Sequence, residues 1–206
     1  MLWEVLNRML RKIRSLVSNS DYFGIYDNAL SEYECKLLID LFEKSRQQPG
    51  KIFFKGSSHA SVNYDHKKDT ELIETKFSNG TQISNIVNCQ LIKCIEYYKK
   101  DYPELIYNAP WKYEDPYNFQ KYDGEDEGYK TWHCEHGPGK SSERIMAWMF
   151  YLNDAKCGTE FLNYPTVQAK RGRCVIWPAF WTHVHKGQLP NIGLKYILTG
   201  WISFVE

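Results

Sequence analysis

The pattern of apolar and polar positions divides the chain into a helical first half and a strand-rich second half. Apolar residues recur at helical spacing over 2–17, opposite a basic face, and again over 84–100. Ser31 followed three residues later by Glu34 has the sequence of a capping box, which predicts that a helix begins there. The second half contains runs rich in aromatic and β-branched residues, separated by Gly, Pro, Asn and Asp, which is typical of strands. These runs are 117–122, 129–135, 144–152, 173–177 and 194–204.

Helices followed by strands favour a mixed α/β fold that is mainly β, a sandwich or barrel buttressed by helices on one side. We expect 1–20 to form an amphipathic helix that packs on the domain; the alternative is a helix that binds a membrane surface or a partner. Residues 21–206 are expected to form one domain, with helical support over 21–106 and the strand-rich core over 107–206. The polar stretch around 50–70 is expected to be a long loop or loose hairpin, which serves either as a lid or as an ordinary connection.

Composition excludes several classes of protein. The 43% hydrophobic and 25% charged residues are close to the globular average, which argues against wholesale disorder. No apolar run approaches the roughly 20 residues of a membrane-spanning helix, so we expect no membrane span. The net charge of +1 offers no bulk attraction to nucleic acid. The six cysteines form no CxxC pair and no signal peptide is recognisable, so we expect reduced thiols and a cytoplasmic location.

Two small histidine clusters in the second half carry the candidate chemistry. His133 and Glu135 lie two residues apart in a strand-like run, so their side chains are expected on one face with their tips close together. The second cluster contains His183 and His185, either of which supplies a third ligand. Two histidines and one carboxylate form the ligand set of non-haem Fe(II) oxygenases, which leaves three metal positions open. Zinc is the alternative metal for the same set.

Lys195 is a cation among apolar residues near the start of the last predicted strand. Burying it costs free energy unless it is paired, and no acidic residue lies near it in the sequence. Either an anionic ligand is its partner, or it is a solvated lysine on an edge strand.

Five segments of the second half follow one another in a characteristic order: FQKYDGEDEGYKTWHCE, RIMAWMFYLND, GTEFLNYP, KRGRCVIWP and HKGQLPNIGLKYILTGW. Their order and spacing resemble the prolyl 4-hydroxylase branch of the Fe(II)/2-oxoglutarate-dependent dioxygenases. The Trp-His-Cys-Glu and Thr-His-x-His signatures look like those of bacteriophage-type members. The likeness covers 21–204 and is strongest from residue 119 onward. It implies a distorted double-stranded β-helix, a jelly-roll or cupin-like barrel, with supporting N-terminal helices.

The resemblance implies that His133, Glu135 and His185 are the catalytic metal ligands. The family places its 2-oxoglutarate-binding Lys or Arg nine or ten residues after the distal histidine, which selects His185 over His183. Lys195 would then pair with the far carboxylate of 2-oxoglutarate. The family mostly has Asp where this chain has Glu135, whose extra methylene shifts the position of the metal-binding oxygen.

The same resemblance implies roles for four further residues. Tyr151 corresponds to a tyrosine that hydrogen-bonds the far carboxylate of 2-oxoglutarate, and Tyr122 to an aromatic residue that lines the cofactor pocket. Arg144 corresponds to an arginine that holds the substrate peptide, and Trp201 to a tryptophan against which the target proline packs.

The implied function is Fe(II)- and 2-oxoglutarate-dependent hydroxylation of a peptidyl proline, with release of succinate and CO₂. O₂ is the oxidant, ascorbate is a candidate reductant, and the partner is a proline-containing peptide or protein. The cytoplasm would be that of a host cell if the source is viral. Two alternatives stay open: the same chemistry on another substrate, such as a free amino acid or alkylated nucleic acid, or a non-catalytic metal-binding or sensing domain on the same barrel. The near-zero net charge argues against nucleic acid.

Overall fold

The computed structural model describes residues 21–53, 59–73, 75–108 and 110–205, so the expected helix over 1–20 lies outside the described residues. Its two α-helices are α1 (Glu32–Lys44) and α2 (Gln82–Asp101). The strands are β1 (Gly24–Tyr26), β2 (Gln47–Pro49), β3 (Ile52–Phe53), β4 (Ala60–Ser61), β5 (Lys67–Lys68), β6 (Thr70–Leu72), β7 (Trp111–Tyr113), β8 (Asn118–Tyr122), β9 (Gly128–Tyr129), β10 (Arg144–Tyr151), β11 (Gly158–Phe161), β12 (Tyr164–Gln168), β13 (Cys174–Pro178), β14 (His185–Gly187) and β15 (Lys195–Phe204). Short 3-10 helices occupy Phe77–Asn79, Pro103–Tyr107, Gly139–Glu143 and Trp181–His183.

Both helices begin close to the predicted positions. The Ser31 hydroxyl accepts from the backbone N–H of Glu34 at 3.2 Å, and the Glu34 carboxylate accepts from the backbone N–H of Ser31 at 2.8 Å. The predicted capping box is therefore confirmed. Thr81 caps α2, which extends the predicted helix by two residues at its start and one at its end. Neither described helix is long and apolar enough to cross a membrane.

Two antiparallel sheets dominate the fold. The main sheet has the strand order β1-β13-β10-β15-β8-β6-β2, with β7 also paired to β15. The small sheet has the order β12-β11-β14. The fold is thus mainly β, as predicted, and consistent with a double-stranded β-helix, although the described strands do not close into a barrel.

The main sheet is covered on both faces. From β10, Trp148 and Phe150 pack in the cluster that includes Leu91 of α2, on the helical side. Met149 and Tyr151 pack instead with residues of β11 and β12, in the cluster between the two sheets. Because side chains alternate along a strand, burial of both faces produces the continuous apolar sequence of β10. The candidate site lies beside the cluster between the sheets.

The predicted strand over 129–135 is wrong in its extent. Strand β9 ends at Tyr129, and only an isolated bridge between His133 and His185 follows. The two histidines exchange backbone hydrogen bonds of 3.0 and 2.8 Å, but the backbone N–H of Glu135 then donates to the carbonyl of Ala179 at 3.0 Å. The chain therefore turns away from β14 immediately after the bridge.

The stretch around 50–70, predicted as a loop or loose hairpin, contains short paired strands. Strand β3 pairs with β4, and β5 pairs with β9, while residues 54–58 lie outside the described part. The partner of Lys67 in this pairing is Tyr129, whose ring stacks on His133 with centroids 3.8 Å apart. This segment therefore adjoins the candidate site, and its closure as a lid stays a prediction.

Candidate metal and cosubstrate site

The structure brings the side chains of His133, Glu135 and His185 together. Glu135 Oε1 lies 3.6 Å from His133 Nε2 and 3.3 Å from His185 Nε2. One ligand atom from each of the three residues lies within 4.8 Å of the other two. The predicted metal ligands thus converge, although the two histidines are joined by a single bridge rather than by adjacent long strands.

The second ring nitrogen of each histidine faces a backbone carbonyl. His133 Nδ1 lies 3.0 Å from the carbonyl oxygen of Thr131, and His185 Nδ1 lies 2.9 Å from that of His183. Because a carbonyl oxygen only accepts, each Nδ1 donates a proton, and Nε2, which faces Glu135, is the ring nitrogen left to bind a metal. Metal-binding histidines are oriented by this kind of contact.

The charge states at the site favour a bound cation. Burial lowers the pKa of His185, as does the neighbouring His133, so the neutral form with its free lone pair is favoured. Burial acts to raise the pKa of Glu135, but the contacts with the two imidazoles outweigh it and hold that pKa well below its usual range. One ionised carboxylate oxygen and one ring nitrogen from each of two histidines therefore lie together. This donor set suits Fe(II) or Zn(II).

His183, the alternative third ligand, lies outside this group. It ends the 3-10 helix Trp181–His183, and its Nε2 donates to the carbonyl oxygen of Asp21 at 2.8 Å. Its Nδ1 lies 2.9 Å from the hydroxyl of Thr182. His183 and His185 do not lie on one strand, because β14 begins only at His185.

Lys195 is buried, with 3% of its surface exposed. Its Nζ lies 3.5 Å from Cys157 Sγ and 5.0 Å from the ring centroid of Tyr122. Among the residues that the structure describes, no carboxylate forms an ion pair with it within 4.0 Å. Burial lowers the pKa of Lys195 because the ammonium has lost its water. An unpaired buried ammonium costs free energy, so the environment of Lys195 favours an anionic ligand and contradicts a solvated edge lysine.

Tyr151 and Tyr122 are both buried in the cluster between the sheets. The Tyr151 hydroxyl lies 2.6 Å from that of Thr159, and the Tyr122 hydroxyl donates to Gln120 Oε1 at 2.9 Å. Burial raises the pKa of both phenols, so both stay protonated hydrogen-bond donors. The two predicted cofactor-pocket tyrosines therefore lie in one buried region, and Tyr122 also contacts Lys195.

Arg144 and Trp201 contact each other and the metal group. Arg144 Cζ lies 3.6 Å from the ring centroid of Trp201, and the indole N–H donates to Glu135 Oε2 at 2.6 Å. Arg144 Nε lies 3.1 and 3.2 Å from the two carboxylate oxygens of Glu114, and its Nη2 lies 3.0 Å from one of them. The predicted substrate residues thus adjoin the predicted metal ligands, and their contacts with a substrate stay predictions.

Sequence reasoning did not single out three residues of this neighbourhood: Glu114, Cys157 and Thr159. Glu114 is 30 positions before its partner Arg144, and Cys157 is 38 positions before Lys195, so no local pattern links them. The one available signal was chemical. A partly buried arginine needs an acidic partner, and Glu114 directly follows a short aromatic run.

Comparison with known proteins agrees with this geometry. Residues 117–203 match the family model described as the 2OG-Fe(II) oxygenase superfamily, a segment that contains all three converging ligand residues. No curated protein matches the sequence.

Several solved structures share the fold. A Trichoplax adhaerens prolyl hydroxylase, in complex with a hypoxia inducible factor peptide fragment, has a TM-score of 0.69 and 16% identity over 98% of this chain and 93% of its own. The viral collagen prolyl hydroxylase of Paramecium bursaria Chlorella virus-1, in its 2OG complex, has a TM-score of 0.60 and 16% identity over 90% of this chain and 98% of its own. The non-heme alpha ketoglutarate dependent epimerase SnoN from nogalamycin biosynthesis has a TM-score of 0.61 and 10% identity over 89% of this chain and 79% of its own. Residues 117–203 are therefore similar to the 2OG-Fe(II) oxygenase superfamily, and the fold of the chain is like that of the prolyl hydroxylases.

Proposed function

We propose that this protein is an Fe(II)- and 2-oxoglutarate-dependent dioxygenase that hydroxylates a peptidyl proline, and that 21–206 form one double-stranded β-helix domain. Bound iron, 2-oxoglutarate and O₂ supply the chemistry: one oxygen atom converts 2-oxoglutarate to succinate and CO₂, and the other enters a C–H bond. The observation that carries the proposal is the convergence of His133 Nε2, His185 Nε2 and Glu135 Oε1. The cytoplasmic location expected from the cysteine pattern stays part of this proposal.

His133, Glu135 and His185 would hold the metal in this proposal. Zinc suits the same three donors. An oxo acid that chelates a metal through one end, such as 2-oxoglutarate, also requires a buried cation for the carboxylate at its other end. Lys195 supplies that cation. The superfamily match supports the same choice of iron with 2-oxoglutarate.

Lys195 would pair with the far carboxylate of 2-oxoglutarate, and the Tyr151 hydroxyl would donate to the same group. Both groups would bond an ionised carboxylate, but only the ammonium also brings the opposite charge, so Lys195 would contribute more than Tyr151. The thiol of Cys157 lies 3.5 Å from the ammonium and would form a wall of this pocket. Tyr122 would cover its other side through the contact with Lys195.

Support for a proline substrate comes from the prolyl hydroxylase neighbours and from the position of Arg144 and Trp201 beside Glu135. The guanidinium covers one face of the indole, so a proline ring would pack on the other face.

The ion pair with Glu114 favours a second candidate, the same oxygenase chemistry on a substrate other than proline. Arg144 already uses Nε and Nη2 on Glu114, and its Nη1 lies 3.4 Å from the carbonyl oxygen of Glu135. These contacts leave few donors for a peptide backbone. The epimerase among the structural neighbours also shows that the fold alone does not fix the reaction.

The test is succinate formation measured by NMR. Anaerobically purified protein receives Fe(II) and 2-oxoglutarate, then O₂, with and without proline-rich peptides and with ascorbate added or omitted. We expect succinate to rise with a peptide and to match a product heavier by one oxygen atom. Succinate formation that no peptide changes would support the oxygenase activity and contradict the proline substrate. Absence of succinate despite bound iron would favour the binding or sensing role.

Two variants provide a matched control. His185→Ala should abolish iron binding and succinate formation, because it removes one of the three converging donors. His183→Ala should keep both activities, because both ring nitrogens of His183 bond elsewhere. Equal loss in the two variants would contradict the assignment of the third ligand.

A further inference from the structure

A hydrogen bond between Trp201 and Glu135 decides which carboxylate oxygen faces the two histidines. The indole N–H donates to Oε2 at 2.6 Å, while Oε1 lies 3.6 and 3.3 Å from the two imidazole Nε2 atoms. We propose that Trp201 is a positioning residue, which holds Glu135 so that Oε1 alone is offered to the metal. This inference rests on the metal site of the proposed function.

The length of Glu135 fits this double contact. Its backbone is fixed by the hydrogen bond from its N–H to the carbonyl of Ala179 at 3.0 Å. An aspartate at this position would place the carboxylate one carbon–carbon bond, about 1.5 Å, closer to the backbone. It could then not keep both a 2.6 Å contact with the indole and a 3.3 Å approach to His185. Glutamate is the side chain that spans both sites.

Trp201 is itself held in place on β15. Its backbone pairs with Ala147 of β10, and its carbonyl accepts from the backbone N–H of Glu114 at 2.9 Å. The guanidinium of Arg144 lies over its ring at 3.6 Å, which adds a cation–π contact. The indole N–H is therefore presented to Glu135 by a fixed element of the main sheet.

The ion pair between Arg144 and Glu114 keeps the charge of Glu135 available. Arg144 Nη1 lies 3.8 Å from Glu135 Oε2, close enough to compete with a metal if the guanidinium were unpaired. The Glu114 side chain is only 5% exposed, and it bonds Arg144 with both oxygens while also accepting from the Ser203 hydroxyl. The nearest donor to Oε2 is consequently the neutral indole, which orients the carboxylate without neutralising it.

The test compares metal binding in Trp201→Phe and in Trp181→Phe, a control whose side chain is 76% exposed. Co(II) replaces Fe(II) because its visible absorption reports both affinity and ligand arrangement. Loss of a group that orients a metal ligand typically weakens binding about 10- to 100-fold. We expect a loss of that size and an altered Co(II) spectrum in Trp201→Phe, with neither change in Trp181→Phe.

A double-mutant cycle separates positioning from a general structural effect. Trp201→Phe is combined with Glu135→Asp, whose shorter side chain should already have lost the indole contact. We expect Trp201→Phe to change Co(II) affinity less than about threefold in that background. An equal loss in both backgrounds, or wild-type affinity in Trp201→Phe, would overturn the positioning role while leaving the metal site intact. Failure of the wild-type protein to bind Co(II) would overturn the metal site and the positioning role together.

Wild-type protein supplies a second measurement should Trp201→Phe fail to fold. The indole N–H of Trp201 donates to a carboxylate, so its NMR signal should be shifted downfield and should exchange slowly with solvent. Zn(II), which is diamagnetic, should shift this signal as it binds. Rapid exchange and indifference to Zn(II) would overturn the proposal.

Discussion

Replacing Lys195 by methionine is expected to stabilise the protein alone and to weaken its binding of 2-oxoglutarate. The ammonium is buried, its one described polar partner is the Cys157 thiol at 3.5 Å, and burial lowers its pKa. Methionine keeps much of the length of the side chain and removes the charge. The two opposite effects arise from the same cause. A buried ammonium without an anion destabilises the ligand-free fold, and the same ammonium strengthens the binding of 2-oxoglutarate.

Both effects have a predictable size. An unsatisfied buried polar group costs about 1–3 kcal/mol, which for a chain of this length corresponds to a rise in Tm of about 2–12 °C on removal. A hydrogen bond to a charged group contributes about 1.5–3 kcal/mol, so 2-oxoglutarate binding should weaken about 10- to 150-fold. The folded-state pKa of Lys195 lies below its ordinary value of 10.5, so the unfolded chain binds more protons between the two values. Wild-type stability should therefore gain from this group as pH rises toward 10.5, and Lys195→Met should lack that gain.

The measurements are thermal unfolding without ligand and calorimetric titration with 2-oxoglutarate in the presence of a redox-inactive divalent metal. Lys156→Met is the matched control, because Lys156 is exposed and lies next to Cys157 in the sequence. It should change neither quantity. A Lys195→Met protein that is less stable than wild type would show that the ammonium is already satisfied. Unchanged affinity for 2-oxoglutarate would refute the assigned role of Lys195.

Three further predictions concern residues around the site. Tyr151→Phe should weaken 2-oxoglutarate binding about 10-fold, the lower end for a hydrogen bond to a charged group, because it removes a donor but no charge; a calorimetric loss larger than that of Lys195→Met would contradict the ranking. Gly158→Ala should destabilise the fold by about 1–3 kcal/mol in urea unfolding, because a Cβ would lie 1.9 Å from the carbonyl oxygen of Val167 on the partner strand; wild-type stability would contradict this. Burial raises the pKa of Asp69 to about 7 against an ordinary value of 3.8, although Lys67 acts to lower it. Between these two pKa values the folded protein binds a proton at Asp69 that the unfolded chain has lost, so the free energy of unfolding should fall as pH rises through this window. In denaturant unfolding, the free energy of unfolding of Asp69→Asn should depend less on pH over the same window.

The parts of the fold that could be predicted are those with a strong local pattern. The predicted strands 117–122, 144–152, 173–177 and 194–204 agree with β8, β10, β13 and β15 to within one residue at each end. These strands form the middle of the main sheet, and burial on both faces gives β10 and β13 nearly continuous apolar sequences. Strands β11, β12 and β14 were missed, because they are short, contain polar residues and owe their structure to pairing with one another.

The metal group could be predicted from residue types, but its geometry could not. His133 and Glu135 are close together although they do not share a regular strand, because the chain turns after the bridge with His185. The choice between His183 and His185 depends on where β14 begins, which no local pattern reveals. The resemblance to the family selects His185 because of the spacing between the distal histidine and Lys195. The structure places His185 with the other two donors.

The spacing of the remaining site residues shows how the main sheet assembles them. Lys195 and Trp201 are six residues apart on β15, an even spacing that places both on the same face of a regular strand. Arg144 and Tyr151 are seven residues apart on β10, an odd spacing that would place them on opposite faces. The register of β10 against β15 shifts between Arg144 and Met146, and such a bulge turns a side chain to the other face. Arg144 thereby reaches Trp201, so this one irregularity brings the guanidinium to the same side as the other site residues.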